Sequence, residues 1–177
     1  LRTVVSSKAN STNPIFGVDG SPVVKDIYYK NKWRTVALTG LGKGGNSYFA
    51  LDVTDVNQPK HLFTIMNDPN FKEVSYWDAS GDKTVYTYSN TFFPNDLYDY
   101  SKLGEAWSTP RIIRMKINNK DKWVAVFGAG FNNAVSPEYG SAVFIIDMED
   151  GGKIIKQIDV ADKSGNSIIN SVPVGII

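Results

Sequence analysis

Two stretches of the chain carry the same landmarks in the same order, and this internal repeat constrains the fold more than any other feature. A Pro opens each, at Pro22 and Pro110, and a Trp begins the second strand-like run of each, at Trp33 and Trp123. A Gly-x-Gly turn follows at Gly40-Leu41-Gly42 and at Gly128-Ala129-Gly130. An apolar run then ends in an acid, at Phe49-Ala50-Leu51-Asp52 and at Phe144-Ile145-Ile146-Asp147. Short runs rich in β-branched and aromatic residues, bounded by Gly, Asn, Asp and Pro, read as strands. The first series is Ser21–Tyr29, Trp33–Thr39, Tyr48–Val53 and Leu62–Ile65; the second is Thr109–Ile117, Trp123–Gly128, Ala142–Met148 and Ile154–Val160. A third series starts at Ser171-Val172-Pro173, matching Ser108-Thr109-Pro110.

A repeated four-strand meander is the unit of a β-propeller, in which each blade buries its faces only by stacking on its neighbours. The predicted fold is therefore all-β: a partial propeller of four-stranded antiparallel blades. Blade-like repeats cover about 17–66 and 108–160, and a further blade begins in 171–177. Complete propellers have about 4–8 blades, so the chain reads as part of a ring, a fragment or a processed chain. Between the repeats, residues 67–103 break the pattern and read as an insertion with a small hairpin at Lys83–Ser89. Its aromatics offer two readings. Tyr76, Trp77, Phe92, Phe93 and Tyr98 form a contact surface, since long insertions often carry function; or they cover a blade edge.

Composition narrows the functional classes. With 42% hydrophobic and 21% charged residues, the 177-residue chain can bury a core. The net charge of +1, without a basic run, does not supply the positive face that nucleic acid requires. The apolar stretch near Ala142–Ile146 is too short to span a bilayer. With no cysteine, disulfides, thiolate metal sites and Cys nucleophiles are excluded, although the compartment stays open.

Each chemical motif has a plainer structural explanation. Gly40-Leu41-Gly42-Lys43-Gly44-Gly45 satisfies G-x-G-x-x-G, but a strand-like Asn46–Asp52 follows where a dinucleotide site needs a helix N-terminus. Lys43 precedes Gly44 and not Ser or Thr, so the phosphate-loop pattern fails too. The segment is expected to be a turn whose glycines permit positive φ. A Ser-His-Asp triad would have to use His61, the one histidine, which opens a strand after Gln58-Pro59. Among Asp19, Asp52, Asp55, Asp78, Asp82 and Asp147 nothing selects the opposed pair of a glycosidase. Asp19 before Gly20 suits a turn, and Asp52 and Asp147 end equivalent strands, which suggests a repeated structural role. Asp78-Ala79-Ser80-Gly81-Asp82 has the Gly at its fourth position and no acid at the twelfth, unlike a calcium loop of the EF type. No catalytic, cofactor-binding or metal-binding residue is assigned.

Read in order, the repeats resemble the β-propeller domain of PilC/PilY-type type IV pilus tip proteins, the Neisseria PilC β-propeller family. The resemblance rests on Phe16–Tyr29, Trp33-Arg34-Thr35-Val36, the glycine run Gly40–Gly45 and Tyr48–Asp55, then on Trp123–Asn132 and Phe144–Asp147. It implies a seven-bladed modified propeller, exported through the periplasm and exposed at the outer membrane, cell surface or pilus tip. It also implies roles in pilus assembly, retraction control and adhesion. The implied partners are pilin or pilus-tip subunits and a host or abiotic surface. The family's calcium loop, of the D-x-D-x-D type, is expected outside this chain, so no calcium ligand is carried over, and the 67–103 insertion is longer than the family's inter-blade link.

Three functions compete: a non-catalytic pilus biogenesis factor or adhesin, a quinoprotein dehydrogenase with a PQQ-like cofactor, and a carbohydrate-binding propeller. A quinoprotein needs a calcium, an acid base and a stacking Trp on the ring axis. A lectin needs repeated aromatic and polar pockets, one per blade, and Trp33 and Trp123 are expected instead to lie in the core.

Overall fold

The structure, a computed structural model, describes residues 16–88, 97–132, 139–160 and 172–175. Among these the ordered elements are strands: β1 (Val23–Tyr29), β2 (Lys32–Gly40), β3 (Ser47–Asp52), β4 (Lys60–Asp68), β5 (Glu73–Trp77), β6 (Lys83–Thr87), β7 (Arg111–Ile117), β8 (Lys120–Gly128), β9 (Ala142–Asp147) and β10 (Lys153–Asp159). They form a six-stranded sheet in the order β1 to β6 and a four-stranded sheet in the order β10-β9-β8-β7. All pairings are antiparallel between chain neighbours. These are the expected meanders.

Local chemistry sets the register. β1 and β2 are joined by the two-residue turn Lys30-Asn31, and β7 and β8 by Asn118-Asn119; all four residues have φ between 49° and 62°. Such paired positive-φ turns match the right-handed strand twist, and Asn tolerates them. Counting from these turns gives the true equivalences. Val36 pairs with Asp52, and Val124 pairs with Asp147, so the two acids occupy the same place. Both meanders also carry one extra residue at the same step, Leu62 between His61 and Phe63 and Ile155 between Ile154 and Lys156. Shared bulges at matched register are a stronger sign of duplication than shared composition, because a one-residue slip would invert every side chain.

The landmark order predicts that Trp33 and Trp123 superpose and lie in the core. They do neither. Trp33 pairs with Tyr28 one step from its turn, whereas Trp123 pairs with Arg114 three steps from its own. Trp33 is 64% exposed; Trp123 is half-buried against the core. Strand alternation keeps both on the same face of their sheets, but a two-residue offset moves Trp33 out to the hairpin tip.

One core spans both sheets. Tyr48, Ala50, Phe63 and Ile65 of the first sheet face Phe127, Phe144 and Ile146 of the second. The Tyr48 and Phe127 rings lie 4.2 Å apart, and Phe127 and Phe144 5.7 Å apart. In the stretch read as an insertion, β4 runs on to Asp68 and β5 and β6 add two strands to the first sheet. The chain then returns between the sheets: Ile154 N donates to Leu97 O (2.8 Å) and Gly104 N to Ala129 O (2.7 Å). Tyr100 packs on Phe144 and donates its hydroxyl to Gly152 O.

Candidate functional site: the glycine end and the cleft end

Strand direction sorts the connections onto two ends of the sheets. At one end lie the glycine loops and the segments that lead into β7 and beyond β10; at the other lie the turns 30–31, 53–59, 78–82, 118–119 and 148–152.

At the glycine end the repeated Gly-x-Gly turns hold crossing backbone. Gly42 N donates to Ala106 O (3.1 Å), and Gly130 N donates to Val172 O (3.2 Å). Ala106 N in turn donates to Gly45 O, and Val172 N to Gly140 O. A Cβ on Gly40 would overlap Ala106 O, and a Cβ on Gly128 would overlap Val172 O. Gly42 and Gly130 have φ of 58° and 89°. Gly20 lies against the Gly40 carbonyl, and Asp19 N donates to Leu41 O (3.1 Å). Pro22 and Pro110 directly precede β1 and β7. No helix follows the Gly40–Gly45 loop; β3 does, so there is no helix terminus to hold a pyrophosphate. Ser108, buried and marked in the sequence only as the start of Ser108-Thr109-Pro110, is a junction: it accepts from Gly128 N (2.8 Å), donates to Val174 O (2.9 Å) and gives its carbonyl to the Tyr48 hydroxyl (2.6 Å). Burial pushes the Tyr48 hydroxyl pKa far up, so it stays a donor.

At the cleft end each repeated acid meets a cation from the preceding strand. Asp52 accepts from Arg34 (2.5 Å) and from the Thr54 amide (3.0 Å); Asp147 accepts from Lys122 and from the Glu149 amide (2.9 Å). Arg34 and Lys122 both stand six positions before Gly40 and Gly128. That shared spacing is the signal by which the pair is legible. Burial raises the Asp52 pKa, but the Thr54 hydrogen bonds and Arg34 outweigh it and the net shift is down. A lowered folded pKa gives stability that is present above the ordinary carboxylate range and is lost as pH falls through the folded value. Asp52→Asn is therefore expected to cost about 1–3 kcal/mol at neutral pH. The loss should shrink in acid, as measured by urea unfolding at several pH values.

The other candidates separate. Asp78 accepts from the amides of Ser80 (2.8 Å) and Asp82 (3.1 Å), which closes its own turn. His61 Nε2 lies 2.8 Å from Thr64 Oγ1. Among the described residues no group of three or more acids or histidines converges on a metal position. Tyr76 and Tyr98, expected on a contact surface, are buried against each other with ring centroids 4.4 Å apart. The reason is that β5 joins β4 and turns Tyr76 inward, while the returning chain carries Tyr98 between the sheets. Trp77 is half-buried under Lys83 (5.1 Å from the ring centroid). Phe92 and Phe93 lie outside the described residues, as does Ser171 of the expected third series.

Two adjoining hollows open between the sheets at this end. One, of about 670 Å³, is lined by groups of both charges, including Arg34, Lys60, Asp78 and Asp150, and by His61. The other, of about 530 Å³, is lined by Tyr28, Tyr29, Lys30, Asn31, Trp33, Arg114, Asp121, Trp123 and Glu149.

The family model described as the PilY1 β-propeller domain matches residues 3–174. The chain belongs to this family. The type IV pilus biogenesis factor PilY1 of Pseudomonas aeruginosa PAO1 is 29% identical over 150 residues, 85% of the chain and 10% of that protein. The PilY1 homolog of Xylella fastidiosa Temecula1 is 28% identical over 145 residues, 82% of the chain and 8% of that protein. The crystal structure of the P. aeruginosa PilY1 C-terminal domain matches with a TM-score of 0.55 at 30% identity, over 84% of the chain and 23% of that domain chain. The chain thus spans about a tenth of the first of these PilY1 proteins and under a quarter of the solved domain. The two sheets are a fragment of a PilY1 β-propeller. Among the described residues no helix is long and apolar enough to cross a membrane.

Proposed function

We propose that this chain supplies two adjoining blades of a type IV pilus biogenesis factor that works from the cell surface or pilus tip by binding, without catalysis. The observation that carries the reading is the PilY1 propeller match along nearly the whole chain, joined to the duplicated register, bulge and acid–cation pair of the two sheets. Pilin or pilus-tip subunits are the proposed partners, with a host or abiotic surface as a second target. The disposition of the acids supports a binding role: Asp52 and Asp147 are tied to cations, and Asp55 and Asp78 accept amides of their own turns. This leaves those carboxylates engaged in structure and not poised as a proton-transferring pair. Any calcium of the intact propeller is proposed to lie outside this chain.

Deletion of the gene in the producing strain is expected to lower the number of surface pili and the adherence of cells, with both restored by an intact copy. Normal pili, motility and adherence, together with loss of a quinone-linked dehydrogenase activity, would favour the enzyme reading instead.

A further inference from the structure

The smaller hollow between the hairpin tips has a lining that neither hydrophobic packing nor a plain salt-bridge surface accounts for. Its walls come from both sheets, with four aromatic side chains, several charged or amide groups and, among the described residues, no aliphatic one. The two-residue offset between the repeats creates it. Trp123, on the face of the second sheet turned toward the first, reaches the cleft from one side. Trp33 reaches it from the tip of the β1–β2 hairpin, where it meets Tyr28 edge to face at 5.7 Å. At matched register the two indoles would occupy equivalent places in separate blades; displaced, they share one cleft.

The polar groups sit beside these rings. Arg114 pairs with Asp121 at 2.9 Å, and both are largely exposed. Glu149 accepts the Trp123 amide through one carboxylate oxygen at 2.9 Å, which leaves the other free to accept again. Exposed aromatic faces carry negative charge density and attract polarised C–H groups, and planar carboxylates and guanidinium groups offer pairs of hydrogen bonds at fixed spacing. A pyranose ring presents these counterparts together, as C–H patches on its faces and vicinal hydroxyls at its rim. The core of a protein interface would share the Tyr, Trp and Arg but is depleted of Lys, Asp and Glu, whereas Lys30, Asp121 and Glu149 stand among the rings here.

We propose that the cleft framed by Tyr28, Trp33, Trp123, Arg114, Asp121 and Glu149 binds a β-linked oligosaccharide whose equatorial hydroxyls leave C–H faces free to stack. The inference rests on the attachment part of the proposed function and names the ligand class for it. Arg114, Asp121 and Trp123 belong to β7 and β8 and Glu149 to the turn after β9, so these lining residues come from the second blade and the others from the first.

The test is calorimetric titration of the intact protein with cellotriose and with N,N′,N″-triacetylchitotriose. At least one should bind saturably, with a Kd on the order of 1 mM or below. Trp33→Ala and Arg114→Ala, both at exposed positions, should each weaken binding about tenfold. Trp107→Ala, an indole 38% exposed at the glycine end, should leave it unchanged. Absence of saturable binding by both sugars overturns the proposal, as does binding that survives Trp33→Ala and Arg114→Ala. Purified pilin binding in a Trp33-dependent manner while neither sugar binds would make the cleft a protein interface and overturn it equally. None of these outcomes alters the piliation result, so failure of the glycan site is distinguishable from failure of the pilus reading.

Discussion

Replacing Gly40 or Gly128 by alanine is expected to cost about 3 kcal/mol or more. At Gly40 the added carbon overlaps Ala106 O and stands 2.9 Å from both Ala106 Cβ and Tyr48 Cε1. At Gly128 it overlaps Val172 O and stands 2.6 Å from Val172 Cγ1 and 2.8 Å from its Cβ. The obstacle in each case is backbone, which cannot swing aside as a long side chain would. Relief requires the crossing segment to lift, and lifting it breaks the Gly42–Ala106 or Gly130–Val172 hydrogen bond. Overpacking costs about 1–3 kcal/mol, and each lost buried hydrogen bond adds about 1 kcal/mol. For a domain of this size, about 3 kcal/mol lowers Tm by roughly 6–12 °C. Gly81 provides the control. Its φ is 87° but nothing lies within 4 Å of an added Cβ, so Gly81→Ala should cost only about 1 kcal/mol. Thermal unfolding of the three variants checks the order, and equal losses at all three sites would show that conformation matters and the crossing does not.

Phe127→Ala is expected to cost about 3–5 kcal/mol, because its ring is fully buried where the two sheets meet. Tyr48 lies against it from the first sheet and Phe144 beside it in the second, so removal opens a cavity at the junction that neither sheet can close alone. Tyr48→Phe keeps the ring but leaves the Ser108 carbonyl without its donor, at about 1–2 kcal/mol. If the two sheets cohere through this pair, Phe127→Ala and Tyr48→Ala should be non-additive by about 0.5–1.5 kcal/mol in urea unfolding. Strict additivity would place the cohesion elsewhere, in the returning chain at Tyr100.

Much of the fold was legible because its determinants are local. The alternation in Val36, Leu38, Tyr48 and Ala50 and the turn residues at 30–31 and 118–119 lie within a few residues of the strands they specify. The equivalence of Asp52 and Asp147 was legible for the same reason. The pairing of Trp33 with Trp123 misled because landmarks were matched by order, whereas register is counted from the turn. Counting back from Gly40 and Gly128 finds Arg34 and Lys122 at once. Tyr76 and Tyr98 could not be placed from sequence, since their burial depends on a chain return whose contacts are long in sequence. The requirement for glycine at positions 40 and 128 is of that kind too: the clashing atoms belong to Ala106 and Val172. The cleft was hidden by the same offset that misplaced Trp33.

The most direct measurement of the account is the count of surface pili in a strain lacking the gene and complemented with either the intact copy or the Gly40→Ala/Gly128→Ala copy. The account predicts that the intact copy restores pili and that the double variant does not, while the Trp33→Ala copy restores pili fully, as the proposed attachment role of its cleft requires. Full piliation from a double variant whose propeller is shown by thermal unfolding to be lost would contradict the claim that these two blades serve pilus biogenesis.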